Sequence, residues 1–322
     1  MGLANVNQGL RQKPKFSVAI QSEAYQKLIN NTLGDPDRAR RFVAAISSAV
    51  AVTPALQECD AGSILAGALL GESLNLSPSP QLGQYYLVPF KIKVKGPDGK
   101  VIYKTDEQGN KLKDEKGRWI AETESRATFV IGWKGLVTLA IRTGQYADLD
   151  VMEIRQGEYL GKDKNTGKPT FCFIEDDDKR EELPVIGYMA YFEYLNGFKK
   201  TIYWSKEKML KHADKYSQAF SAKEYEKYIN GEIPENEMWK YSSYWYADFD
   251  GMAKKTLLRQ LISRWGLTSI EMQTAVAKDD TVQRVIGNEI VTDNSDLVEV
   301  PVAEVVQPEF VGVGGQVDLD KL

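Results

Sequence analysis

Cysteine and histidine are nearly absent from this 322-residue chain, which holds only Cys59, Cys172 and His212. The cysteines stand far apart, and no Cys-x-x-Cys or Cys/His cluster occurs. A structural zinc site and a histidine-based catalytic triad are thereby excluded. Two unpaired thiols fit a reducing cytosol. Long apolar runs are missing too. No stretch reaches the roughly 18 residues that a membrane span needs, and the longest, around 61–70, is interrupted by Gly62, Ser63 and Gly67. Residues 1–14 are polar and lack the apolar segment of a signal peptide. The expectation is a cytoplasmic protein that does not meet a membrane. A nucleotide-binding loop is also lacking. Gly161-Lys-Asp-Lys-Asn-Thr-Gly-Lys168 has one residue too many between its glycines, Pro169 fills the Ser/Thr position, and no helical periodicity follows. It reads as a hairpin turn.

Apolar residues make up 43% of the chain, enough for a substantial core, and the net charge is −4. That net value conceals an asymmetry. From Ala277 onward there are ten acids and three cations, which leaves 35 acids and 38 cations before it. A slightly basic body with an acidic tail is compatible with nucleic-acid binding without requiring it.

Four organisational units follow from the patterning: a flexible arm (1–15), a helical lobe (16–80), an α+β core (81–270) and a linker with an acidic tail (271–322). In the lobe, Ser22 is placed to cap a helix, Asp35-Pro36 gives a cap and a first-turn proline, and Asp60 caps a third helix. The small residues of that third helix predict a tight neighbour, in this chain or in another subunit. Self-association is therefore assigned to the lobe.

From Gln84 onward the pattern turns to strand. A quasi-repeat of glycine turn, cation and apolar strand start (Asp98-Gly-Lys, Gln108-Gly-Asn-Lys, Glu115-Lys-Gly-Arg) predicts a projecting hairpin or small meander. Val185–Tyr194 and Lys199–Trp204 flank Asn196-Gly197, a dipeptide suited to a type I′ hairpin. Asp176–Glu182 reads as a solvated charged loop. The whole is α+β: a helical lobe, a central antiparallel sheet with a projecting hairpin, packed helices and an acidic tail.

The stretch Tyr244–Gly266 organises the rest. Tyr246, Ala253, Leu257, Leu261 and Trp265 recur at helical spacing and predict a buried stripe. Lys255 and Arg259, four apart, fall on another face. Arg259 has no acid one turn away, and Asp250 can pair with Lys254. On its own this is a charged helix face. Phe249-Asp-Gly-Met-Ala-Lys-Lys-Thr-Leu-Leu-Arg259, however, resembles the signature of the RecT family of phage single-strand annealing recombinases. Gly132-Trp-Lys-Gly-Leu-Val-Thr-Leu-Ala-Ile-Arg142 resembles a second block of that family, and the resemblance runs in order over roughly residues 20–270.

The resemblance implies a β-β-β-α annealing core, a ring or helical filament of identical subunits, and annealing of complementary single strands without ATP. Lys134, Arg142, Lys254, Lys255 and Arg259 match its motifs as phosphate ligands. Arg126, Lys199, Lys200 and Lys206 join them by position and charge, and Trp119 or Trp133 could stack or wedge. No catalytic residue, metal site or cofactor is implied, beyond a divalent cation such as magnesium modulating DNA binding. Implied partners are single-stranded DNA, its annealed duplex and, through the tail, a host single-strand binding protein or a phage exonuclease. Two other classes stay open. Asp148, Asp150 and Glu153, with Asp176, Asp177 and Asp178, could serve a metal-dependent nuclease, and a self-associating lobe would suit a structural phage assembly protein.

Overall fold

A computed structural model describes residues 15–96, 99–114, 117–217, 219–241, 243–279, 281–286, 289–293 and 297–298. The arm up to 14 and the tail from 299, to which partner binding was assigned, lie outside the described residues.

The chain opens with a short helix α1 (Phe16–Ala19), then α2 (Glu23–Leu33), α3 (Pro36–Val52) and α4 (Ala61–Ser73). Two of the three expected caps recur in the structure, while Ser22 precedes α2 without a side-chain hydrogen bond to it. Asp35 accepts the amides of Asp37 and Arg38 with Pro36 at the first helical position, and Asp60 accepts that of Ser63. The tight neighbour that the small residues of α4 predict is found within the chain. This helix is buried on nearly all sides and packs against β1 (Tyr85–Lys93) and β2 (Thr123–Ile131) of its own chain. A Cβ at Gly67 would lie 2.8 Å from Leu87 Cδ2, and one at Gly71 would lie 2.3 Å from Tyr85 Cζ. The glycines let a helix sit flush on a sheet, so they give no support for self-association through α4.

A prediction follows from that fit. Gly→Ala inside a helix ordinarily stabilises by up to about 1 kcal/mol. At Gly71 the methyl meets the Tyr85 ring, which is 1% exposed and stacked on Phe129 at 5.1 Å. Overpacking costs about 1–3 kcal/mol, so Gly71→Ala should lower the unfolding midpoint in urea. A raised midpoint would show that Tyr85 can withdraw.

Between β1 and β2 the quasi-repeat forms three chained hairpins. Gly99, Gly109 and Gly117 take φ of 75°, 86° and 76° at their tips. Backbone bonds close two triangles at their base. Val94 donates to Glu122, Glu122 to Ile102 and Ile102 to Val94; Lys104, Ile120 and Leu112 repeat the arrangement.

After β2 come α5 (Trp133–Arg142), β3 (Tyr146–Arg155), the small hairpin β4 (Tyr159–Lys162) and β5 (Pro169–Phe171), and α6 (Asp177–Glu182). The charged run is thus a helix with a task. Arg180 reaches the fully buried Glu158 with a 2.6 Å ion pair. β6 (Val185–Tyr194) and β7 (Lys199–Ser205) complete the antiparallel sheet β3-β6-β7. Their turn departs from type I′. Asn196 keeps negative φ while Gly197 alone is at +81°, and Gly197 N–H bonds to Tyr194 O. This is a three-residue loop with glycine in the left-handed position.

The helices α7 (Lys206–Tyr216), α8 (Ala222–Ile229) and α9 (Tyr244–Ala247) lead to α10 (Phe249–Trp265). Asp248 breaks the expected continuous helix by capping α10 through Gly251 N–H at 2.9 Å. α10 lies across β3, β6 and β7 and also touches α5. Residues past Gly266 also differ from the linker expectation. α11 (Ile270–Lys278) is followed by β8 (Thr281–Ile286), β9 (Glu289–Asp293) and β10 (Leu297–Val298). β8 pairs with β2 and β10 with β1, giving a five-stranded sheet β10-β1-β2-β8-β9. Among the described residues no helix is long and apolar enough to cross a membrane.

Candidate nucleic-acid interface

The two motif helices meet at Trp133. It opens α5, whose N-terminus is reached by an unusually close backbone approach. A Cβ at Gly132 or Gly135 would lie 2.1 Å from the carbonyl oxygens of Gly83 and Gln84 respectively, and Gly132 N–H donates to Gln84 O at 2.8 Å. Both glycines of the Gly-Trp-Lys-Gly block are therefore needed to seat α5 against the start of β1. That places Lys134 Nζ 5.7 Å from the Trp133 ring centre. From α10, Lys254 Nζ reaches the same ring at 5.8 Å. Two cations from separate motifs thus share one indole, within the range in which a ring quadrupole attracts cations. Lys254 is also bonded to Glu153 at 3.1 Å, in place of the expected Asp250. Asp250 instead accepts a short hydrogen bond from the Tyr188 hydroxyl. Glu153 is further bonded to Arg155 at 3.1 Å, so this carboxylate of the nuclease reading is already paired with cations.

Lys255 and Arg259 sit differently from the exposed cationic face the spacing predicts. Lys255 is buried at 6% exposure, with its Nζ 3.2 Å from Asp279. Arg259 donates to the other Asp279 oxygen at 2.7 Å and to Val276 O at 3.2 Å. Asp279 also accepts the amide of Ile131 at 2.9 Å. One buried carboxylate at the end of α11 therefore ties α10 to β2. It escaped the sequence reading because it lies 24 residues beyond Lys255, outside any helical-turn rule.

The remaining candidates scatter. Arg142 donates to the carbonyls of Leu74 and Asn75 at 2.9 and 2.8 Å, closing the C-terminal end of α4. Arg126 is buried and pairs with Glu124 on β2. Lys199 pairs with Glu193 at 2.8 Å. Lys200 stands 4.0 Å from the Trp265 ring at one end of α10, and Lys206 stands 6.0 Å from Phe249 at the other. Trp265, assigned to the buried stripe, is 48% exposed beneath Lys200. Trp119 is 49% exposed on the hairpin arm, with Lys113 Nζ 4.5 Å and Lys111 Nζ 5.9 Å from its ring.

Sequence reasoning passed over a second group. Trp204, near the end of β7, is followed at four-residue intervals by Lys208, His212 and Tyr216 on α7. Their spacing is a signal that was open to reading.

Comparison with known proteins now bears on this geometry. The profile of the RecT family matches residues 40–294. The chain belongs to the RecT family. The match spans both motif helices, Asp279 and the strands β8 and β9. Among similar proteins, an uncharacterized protein YqaK of Bacillus subtilis (strain 168) is 30% identical over 281 residues, covering 87% of this chain and 77% of that one. Protein RecT of Escherichia coli (strain K12) is 24% identical over 242 residues, covering 75% and 71%. Membership in the RecT family brings, in general terms, DNA recombination through single-strand annealing, with single-stranded DNA binding and oligomerisation.

Proposed function

We propose that this RecT-family chain anneals complementary single strands without ATP in phage recombination, inside a bacterial cytoplasm. The strands would lie along a positive groove continued from subunit to subunit in an oligomer. The observation that carries the reading is the convergence of Lys134 and Lys254 on Trp133 from the two family motifs. An annealing protein must neutralise two backbones and leave base edges free to pair. Lysines and arginines do this through phosphate contacts with counterion release. Base pairing supplies the driving free energy, so no nucleotide hydrolysis is required.

In this reading Lys134, Lys254, Lys200 and Lys206 face phosphates, and Glu153 holds Lys254 in place until DNA arrives. Arg142, Lys255 and Arg259 act mainly by fixing the elements that form the groove, through the bonds described above. Arg126 and Lys199 are each engaged by a neighbouring acid and contribute less. Trp119 on the hairpin arm stacks on or wedges between bases. A host single-strand binding protein or a phage exonuclease would be met by the tail.

The test is annealing of complementary oligonucleotides by the full chain with no nucleotide present, alongside Lys134→Ala/Lys254→Ala. Two lost contacts to a single strand should lower the salt slope of binding by about 1.4, and annealing should slow at least tenfold. A requirement for ATP would overturn the mechanism. An unchanged slope in the double variant would move the groove away from Trp133.

A further inference from the structure

A cavity of about 540 Å³ opens between β7, α7 and α10, lined by Trp204, His212, Tyr216, Trp245, Arg259 and Arg264 among others. Its wall is an aromatic row. The His212 ring lies 5.2 Å from Trp204 and 4.6 Å from Tyr216, centre to centre. Lys208 Nζ stands 4.1 Å from the Trp204 ring and Lys215 Nζ 5.1 Å from Tyr216. Tyr216 is 68% exposed at the mouth.

The charge around this row is uncompensated. Among the described residues, no acid forms an ion pair with Lys162, Lys208, Lys215 or Arg264. These cations act on one another instead. Burial, then Lys162 and Arg264, pull the Lys208 ammonium below its usual range. Burial, then Lys208 and Lys215, lower His212, which is therefore a neutral ring at pH 7. Elsewhere on the surface, lysines such as Lys211 and Lys227 have acidic partners. A concave aromatic surface ringed by mutually repelling cations suits a ligand that carries both a flat ring and a negative charge. A carboxylate from a protein partner would satisfy the cations and leave the aromatic row unused.

We propose that this cavity takes one nucleotide of a bound single strand, its base turned out to stack on the Trp204–His212–Tyr216 row. The adjoining phosphates are held by Lys208 and Arg264 at the rim. The cavity falls within the usual volume range of ligand pockets, about 300–1,000 Å³. Stacking tolerates any base, as an annealing protein requires. A base drawn aside at regular intervals would leave its strand extended while its neighbours stay available for pairing. The proposal rests on the nucleic-acid reading above and adds a base-binding subsite to it.

The experiment compares two probes on the full-length protein at one salt concentration: oligo-dT and a sugar-phosphate oligomer of equal length without bases. One stacked base is worth about 1–3 kcal/mol, so wild type should prefer oligo-dT by about 5- to 150-fold. His212→Ala/Tyr216→Ala should lose most of that preference and keep its affinity for the abasic probe. If circular dichroism shows the double variant unfolded, Tyr216→Ala alone, at an exposed position, carries the test. A variant that keeps the full preference overturns the subsite and leaves the annealing function standing. A variant with intact preference but altered sedimentation also overturns it, because the cavity then holds a neighbouring protein chain. If wild type binds neither probe, the nucleic-acid reading itself falls.

Discussion

Replacing Asp279 by alanine should destabilise the fold by about 3–5 kcal/mol, the usual cost of stripping a buried charge of its partner. Its side chain is fully buried and engages Lys255 at 3.2 Å, Arg259 at 2.7 Å and the Ile131 amide at 2.9 Å. Removal would take an acid away from a buried ammonium 3.2 Å from it and leave the Ile131 amide short of its acceptor. Lys255→Met should cost less, because Asp279 keeps Arg259 and the aliphatic replacement fills the same space. The spacing reading, which put Lys255 and Arg259 on a face away from the buried stripe, is revised accordingly. Replacing both by alanine would take two cations from this buried carboxylate. Urea unfolding of the three variants gives the order. Equal midpoints for Asp279→Ala and wild type would show that the carboxylate is not the counter-ion that holds α10 to β2.

What the sequence made legible was whatever short-range rules govern. Caps at Asp35 and Asp60 could be read because a cap and its amide lie within one turn. The bounds of β6 could be read because its apolar run ends at a glycine turn. The stripe Ala253, Leu257, Leu261 is buried as its period requires. The rest depends on partners distant in sequence. Small residues in α4 signal a close neighbour, and only the fold shows that the neighbour is Tyr85 on β1. Arg142 looks like a free cation until Leu74 and Asn75 are brought to it. Trp204, Lys208, His212 and Tyr216 were legible in principle, since they repeat every fourth residue, but clustered lysines drew attention to charge alone. The boundary of the acidic tail was misplaced for the same reason. Its first acid, Asp279, belongs to the core, and β8 pairs with β2. A test of the tail's partner should therefore remove residues from 299 onward. A cut at 276 would remove the counter-ion of Lys255 along with the tail.

Affinity for single-stranded DNA should fall about 300-fold between 50 and 200 mM salt, if each protomer makes about six phosphate contacts. Each contact releases close to 0.7 of a counterion from a single strand, so six give a slope of about −4 in log affinity against log salt. The structure motivates a number of that size. Lys134, Lys200, Lys206, Lys208, Lys215 and Arg264 are held by aromatic rings or by no acid at all among the described residues. Lys254, Lys199 and Arg126 must first exchange an acid for phosphate, which lowers their net gain. Sequence should matter little, because these groups meet phosphate or stack on a ring. Fluorescence anisotropy across a salt series, on oligomers of different base composition, measures both quantities. A slope near zero, or a strong consensus site, would mean that base edges rather than backbones are being read, and a protein that occupied those edges could not leave two strands free to pair.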